Sequence, residues 1–183
     1  MPLTSNEAAD ALRDLSETER RSARAYGYHN AAPHLILWGL IWIGEYGGYY
    51  LFPHYPLIFP ILSFVGVLGS FVIGTRMQPT KPARFSWRYF TTFIAFVAFM
   101  SALFAIMPPT RGEQIGAFFP LVVALAYTLM GIWLGLVRIG IVGIAIGLLT
   151  LVGHFYLQQY YLLWFAFVGG GALILGGLWL RRI

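Results

Sequence analysis

Apolar runs of membrane-spanning length dominate this chain and constrain its fold more than any other feature. A helix needs about 20 apolar residues to cross the ~30 Å hydrocarbon core of a bilayer. Six runs have about that length, and they cover residues 33–52, 57–75, 89–107, 117–137, 139–156 and 161–180. The sequence therefore predicts an all-α integral membrane protein, a compact bundle of six transmembrane helices with an N-terminal cytoplasmic helix.

The composition agrees with a membrane class and excludes several functions. Only 10% of the 183 residues are charged, whereas a soluble domain carries about 25%. The chain has no cysteine, which excludes disulfides and thiolate metal sites. The net charge is +5, but the basic residues sit at the ends of the apolar runs, where membrane topology places them. We therefore expect lipid, and no nucleic acid, as the partner of this charge.

The first 30 residues differ from the rest and predict a separate cytoplasmic or interfacial helix, with the six-span domain in residues 31–183. Acids fill the first half of the segment and arginines the second, which suits the helix dipole. Glu17 is placed to pair with Arg21, and Gly27 is expected to end the helix. The apolar face is too thin for firm insertion. We expect residues 4–26 to lie on the protein's own cytoplasmic face or on a cytoplasmic protein partner.

The distribution of lysine and arginine predicts the orientation. With the N-terminus in the cytoplasm, 11 of the 12 basic residues fall inside and only Arg111 falls outside. We therefore expect a multi-pass protein of a bacterial-type cytoplasmic (inner) membrane with both termini cytoplasmic. The loop from 76 to 88 either sets this topology alone, docks the acidic N-terminal helix or grips anionic lipid headgroups. Its candidate headgroup contacts are Arg76, Lys81, Arg84 and Arg88.

Glu45 is the one acid inside the apolar runs. A charged side chain at mid-bilayer costs about 2.5–3.5 kcal/mol, so this carboxyl should face the bundle interior. Two interpretations stay open: a site for a ligand, proton or ion, or a structural acid held by a hydrogen bond. Thr150 and His154 lie at a similar depth and would reach it if the first and fifth spans are neighbours. The candidate ligand- or proton-binding residues are Glu45, His154, Thr150, Tyr49, Tyr127 and Ser63.

Small residues recur at helical spacing within the spans and predict close helix crossings. The clearest sets are Ala124, Thr128 and Gly131 in the fourth span, Gly140, Gly143 and Gly147 in the fifth, and Ala95, Ala98, Ala102 and Ala105 in the third. Close crossings of this kind leave little room for a wide pore.

Two classes of function fit these features. The first is a sensory, regulatory or accessory module that binds a small ligand or partner near Glu45 and reports the bound state through its cytoplasmic helix. The second is a small proton-coupled transporter or channel in which Glu45 cycles its proton, although other polar groups at mid-bilayer depth are few. No nucleophile–base–acid set and no phosphate-binding glycine loop appears, so we do not expect an enzyme.

The four histidines raise a third hypothesis, haem held between histidine pairs. His29 and His34 lie toward the inner side of the predicted topology, and His54 and His154 toward the outer side. Most of them fall at turns or interfaces, whereas axial ligands need an opposed, rigid pair. A zinc site at His29 and His34 lacks a third ligand. We therefore predict no cofactor and no metal.

Overall fold

The computed structural model describes residues 5–77, 87–107 and 112–182, which are helical apart from short turns. Six helices follow in chain order: α1 (Ser5–Leu51), α2 (Ile58–Met77), α3 (Trp87–Ile106), α4 (Gly112–Trp133), α5 (Val137–Tyr156) and α6 (Gln158–Leu180). The all-α class is confirmed. Among the described residues, α2, α5, α6 and the Gln114–Trp133 part of α4 are long and apolar enough to cross a membrane.

Helix α1 is a single helix of 47 residues, which corrects the expectation that the N-terminal helix ends at Gly27. A Cβ at Gly27 would stand 3.0 Å from the Leu136 side chain, so this glycine serves close packing and not helix termination. Pro33 also lies inside the helix, where its missing N–H removes one backbone hydrogen bond. At 1.5 Å per residue α1 is about 70 Å long, and the boundary expected at residue 30 falls within it.

Every side chain of α1 from residue 12 to residue 26 is exposed, and this stretch is called the free part of α1. Glu17 lies 3.8 Å from Arg21, as predicted, and 3.9 Å from Arg13. The sequence Thr4-Ser5-Asn6-Glu7 predicts a capping box with Thr4 as the N-cap, and this position lies outside the described residues.

A short turn at Gly135 joins α4 to α5, which corrects the predicted connection around Arg138. Gly135 has φ +64°, a left-handed conformation that glycine adopts without steric cost. The N–H of Leu136 donates to the carbonyl of Gly131 at 2.9 Å, and the N–H of Gly135 donates to Ile132 at 3.4 Å. These are the two bonds of a Schellman helix end. Arg138 therefore lies in the first turn of α5.

Helices α4 and α5 form an antiparallel hairpin along the predicted small-residue seam, which is confirmed here. A Cβ on Gly131 would stand 2.5 Å from the Cα of Gly140. A Cβ on Gly143 would stand 2.6 Å from the backbone nitrogen of Thr128 and 2.7 Å from the carbonyl of Ala124. Because the obstacles are backbone atoms, these glycines set the distance between the two helices.

Helix α1 also packs against α6 through small residues. A Cβ on Gly39 would stand 2.7 Å from the carbonyl oxygen of Gly170, and one on Gly177 would stand 2.8 Å from that of Ala32. Helix α6 is irregular in its first half, with a 3-10 turn at Gln158–Tyr160 and a π-helical turn at Phe165–Gly169. Phe165 is fully buried in that π turn.

Helix α3 touches α4 through Phe104, whose ring centroid lies 5.3 Å from that of Phe118. The alanine stripe predicted to form a seam on α3 is instead exposed at Ala98, Ala102 and Ala105. A small-residue stripe shows that a close crossing is possible, and in the single chain no described helix makes that crossing on α3.

Three helices meet at one end of the bundle, here called the basic end and defined by Tyr28, Arg138 and Trp179. The Arg138 guanidinium lies 4.9 Å from the Trp179 ring centroid and 6.0 Å from that of Tyr28. Its Nη1 also donates to the Trp179 carbonyl at 3.4 Å. Arg181 and Arg182 follow directly at the end of α6.

Candidate functional site at the α1–α2 interface

Glu45 is buried between α1 and α2, with 4% of its surface exposed. The Ser63 hydroxyl donates to its Oε1 at 2.5 Å. A second polar pair lies one heptad away on both helices, where the Trp38 indole N–H donates to the Ser70 hydroxyl at 3.1 Å. Because the spacing is seven residues on each helix and runs in opposite directions, the two pairs define one antiparallel register.

Glycines bring α2 close enough for these bonds. A Cβ on Gly44 would stand 3.1 Å from the side chain of Leu62, and one on Gly66 would stand 3.1 Å from the Trp38 ring. Gly66 is also the buried glycine of α2. The glycines on both helices therefore leave room for side chains of the facing helix beside the two polar pairs.

Among the predicted site residues, the structure brings Ser63 to Glu45 and places Tyr49 nearby, with its ring 5.7 Å from that of Phe59 on α2. The bond expected from Thr150 or His154 to Glu45 is not formed. Thr150 donates to the carbonyl of Ile146 in its own helix at 2.7 Å.

The remaining predicted residues lie in other parts of the bundle. Tyr127 is half-buried on α4 against the core. His154 lies at the end of α5, its ring 6.4 Å from that of Tyr161. Together with Thr150 it borders an apolar cleft of about 220 Å³ between α4 and α5, which Glu45 does not line.

A group of residues that was not expected from the sequence joins α1, α4 and α6. Pro120 lies inside α4 and has no N–H, so the carbonyl of Gly116, four residues earlier, loses its helical partner. The Tyr46 hydroxyl donates to this oxygen at 2.6 Å and the Tyr161 hydroxyl at 3.1 Å. A proline inside an apolar run was the available signal, because it implies an unpaired carbonyl one turn before it.

The aromatic packing around these hydroxyls places Tyr46 next to Glu45 in the bundle. Phe165 of α6 lies 4.8 Å from Tyr46 and stacks on Tyr161 at 5.6 Å. Trp42 lies 5.1 Å from the same Phe165 ring. Trp42 and Tyr46 therefore contact α6, and Tyr46 also contacts α4. Glu45, between them in the sequence, contacts α2.

Of the four predicted headgroup contacts, Arg76 alone has a described side chain. Arg76 is exposed at the end of α2. Lys81 and Arg84 lie outside the described residues, and the side chain of Arg88 is not described. Within the described part of the chain, no group of three or more histidine or acidic side chains is placed to hold a metal ion.

The chain matches no protein-family model, no curated protein and no solved structure. Any proposal for the function of this chain therefore depends on its own residues. A carboxyl and a hydroxyl in contact can exchange hydrogen-bond partners with a small polar ligand or hold a proton.

Proposed function

We propose that the chain is a six-span protein of a bacterial-type cytoplasmic membrane, with both termini in the cytoplasm. Four apolar helices of sufficient length support this placement. The outward side chains of α2 support it too, since Phe64 and Phe71 are largely exposed and would meet water without a bilayer. The clustering of Arg138, Arg181 and Arg182 at the basic end agrees with a cytoplasmic face there.

Single-cysteine labelling tests this topology without background, because the chain has no cysteine of its own. Ser16→Cys on the free part of α1 and Tyr55→Cys in the turn after α1 are both exposed positions. A membrane-impermeant maleimide should label Ser16→Cys only in inside-out vesicles and Tyr55→Cys only in right-side-out vesicles. Labelling of both variants from the same side would contradict the proposal.

We propose further that the protein is a sensory, regulatory or accessory module whose sensing element is the Glu45–Ser63 pair. The observation that carries this proposal is the continuity of α1, which runs without a break from the exposed charged segment to the buried acid. A helix transmits a tilt or rotation along its length. A change in partner at Glu45 would therefore reach residues 12–26, where a cytoplasmic protein could bind.

The α1–α2 interface suits such a change because polar pairs can be exchanged. A ligand or proton that binds Glu45 more tightly when Ser63 is released would favour a second arrangement of α2 against α1. The opposite face of α1 stays attached to α6 through Gly39 and Gly170. The motion expected is a pivot of α1 on α6, and not separation of the bundle.

Replacement of the cytoplasmic segment tests the regulatory proposal. In a chromosomal variant, an unrelated soluble helix replaces residues 1–26. We expect this variant to change the levels of the host's proteins in the same way as deletion of the whole gene. The variant protein should stay at the wild-type level in the membrane. If the replacement has no effect and gene deletion does, the segment carries no signal. Ser22→Ala, an exposed change within the same segment, serves as the control.

Proton-coupled transport stays a second candidate because the buried Glu45 carboxyl can bind and release a proton. Proteoliposomes with a trapped pH dye separate the two. Transport predicts a proton flux that Glu45→Gln abolishes and Ser70→Ala preserves. The regulatory proposal predicts no flux from any of the three proteins.

A further inference from the structure

A cleft of about 360 Å³ opens where α1 leaves the bundle and passes the turn between α4 and α5. It lies beside the basic end, since Gly27 and Leu136 of the cleft are close in sequence to Tyr28 and Arg138, and the Arg138 N–H donates to the Tyr28 hydroxyl at 3.4 Å. One wall of the cleft is a face of α1 and the other is the turn at Gly135. The lining residues are Arg20, Ala23, Arg24 and Gly27 on α1, and Leu134, Gly135 and Leu136 at the turn.

Both charged groups of the cleft are cations. Arg20 and Arg24 are one helical turn apart on the same face of α1, and both are exposed. Among the described side chains no carboxylate lies within 4.0 Å of either arginine, whereas Glu17 pairs with Arg13 and Arg21, which do not line the cleft. Two arginines held one turn apart with free N–H donors match a phosphate group, which accepts from several guanidinium donors at once.

The opposite wall of the cleft is apolar. Leu134 is 61% exposed and stands beside the turn, and Leu136 packs against Gly27 at its base. A soluble phosphate would use the arginines and leave this leucine in water. A phospholipid would use both, with its phosphate on the arginines and an acyl chain along Leu134 and the neighbouring exposed surface of α4.

We propose that this cleft binds the phosphate headgroup of an anionic phospholipid of the cytoplasmic leaflet. The proposal rests on the membrane placement given above. It assigns Arg20 and Arg24 as headgroup ligands, separate from the loop after α2, and it ties the free part of α1 to the membrane surface. Lipid composition would then set the position of the same helix that carries the Glu45–Ser63 pair.

Native mass spectrometry of the full chain in detergent tests this directly, with phosphatidylglycerol as the probe. Arg20→Gln/Arg24→Gln should weaken phosphatidylglycerol binding about 30-fold, because each arginine near an anionic headgroup contributes about a factor of five. Arg13→Gln/Arg21→Gln removes the same charge at two arginines that do not line the cleft, and it should leave binding within about twofold of the wild-type chain. Phosphatidylcholine should bind the wild-type chain and both variants alike.

The outcomes separate the alternatives. Equal weakening by both double variants would overturn the proposal, because the charge would then act without the cleft. Competition by inorganic phosphate at the same concentration as the lipid would overturn the choice of a lipid. Failure of the vesicle-labelling experiment alone would count against the membrane topology, while loss of selective binding in detergent counts against the cleft.

Discussion

The α1–α2 and α4–α5 interfaces join neighbouring antiparallel helices in different ways. The α4–α5 hairpin is held by backbone contact between glycines and closed by a Schellman turn at Gly135. The α1–α2 pair is held by two side-chain hydrogen bonds, at Glu45 and at Trp38. Burial follows the same division, since 39% of the apolar window of α5 is buried but only 6% of that of α2.

The difference teaches which part of the molecule is fixed and which part is able to change. Backbone contact has one geometry, and any displacement loses dispersion contacts along the whole seam. A hydrogen bond between side chains can be exchanged for another at small net cost, about 0.6 kcal/mol on average between membrane helices. The hairpin is therefore a scaffold, and α2 with the face of α1 beneath it is the adjustable element.

The largest expected effect is on the hairpin. Gly131→Ala places a methyl group against the backbone of Gly140, so we expect a loss of about 3 kcal/mol in the free energy of unfolding. Gly171→Ala adds the same group where nothing lies within 4 Å, and it should be neutral or stabilising by up to about 1 kcal/mol. Denaturant titration in mixed micelles gives both values. Similar values for the two variants would show that the glycine seam is not a scaffold.

The next effect concerns the adjustable interface. Ser63→Ala leaves the Glu45 carboxyl without its donor, and we expect a loss of about 2 kcal/mol because an unsatisfied buried polar group costs more than a missing bond. With Ser63→Ala already present, Glu45→Leu should cost less than it does in the wild-type chain. A double-mutant cycle measures this coupling, and strict additivity would mean that the two side chains do not interact.

A smaller effect is expected at the hydrogen bond that connects α1 to α4. Tyr46→Phe removes the shorter hydroxyl bond to the Gly116 carbonyl, so we expect a loss of about 1 kcal/mol. Pro120→Ala restores a backbone N–H that can bond the same carbonyl. In that background Tyr46→Phe should cost less than half as much. An unchanged cost would show that the missing proline N–H is not the reason for the tyrosine contacts.

The smallest effect is at the second polar pair. Ser70→Ala on α2 removes the acceptor of the Trp38 indole N–H, and we expect a loss of about 0.6 kcal/mol in the free energy of unfolding. Its comparison with Ser63→Ala shows whether a buried acid makes the first pair special. A Ser70→Ala cost equal to that of Ser63→Ala would remove the distinction between them.

Much of the helical architecture could be predicted because the length of an apolar run and the placement of small residues are local properties. The α4–α5 seam followed from spacing alone. The lateral order of the helices could not be predicted. A bond from Thr150 or His154 to Glu45 required the first and fifth spans to be neighbours, and it is absent for that reason. Equal depth does not make two helices neighbours, and α6 and α2 occupy the sides of α1 that carry residues 39 to 45.

Two single residues were misread for a related physical reason. Gly27 was interpreted as a helix end, but a glycine also permits close approach, and only the position of Leu136 decides between these roles. The consequence of Pro120 inside the fourth apolar run was missed, because two tyrosines from other helices replace the hydrogen bond that this proline removes. In both cases the deciding partner is distant in the sequence.

The central claim is that α1 transmits the state of the Glu45–Ser63 pair to its exposed N-terminal part, residues 12–26. Spin labels at Ser16→Cys on that part and Val137→Cys at the start of α5 give one distance distribution by pulsed electron paramagnetic resonance, with no native cysteine to interfere. We predict that Ser63→Ala shifts or broadens this distribution, whereas Gly74→Ala, which faces open space on α2, leaves it unchanged. Superimposable distributions for the unsubstituted pair and Ser63→Ala would contradict the claim.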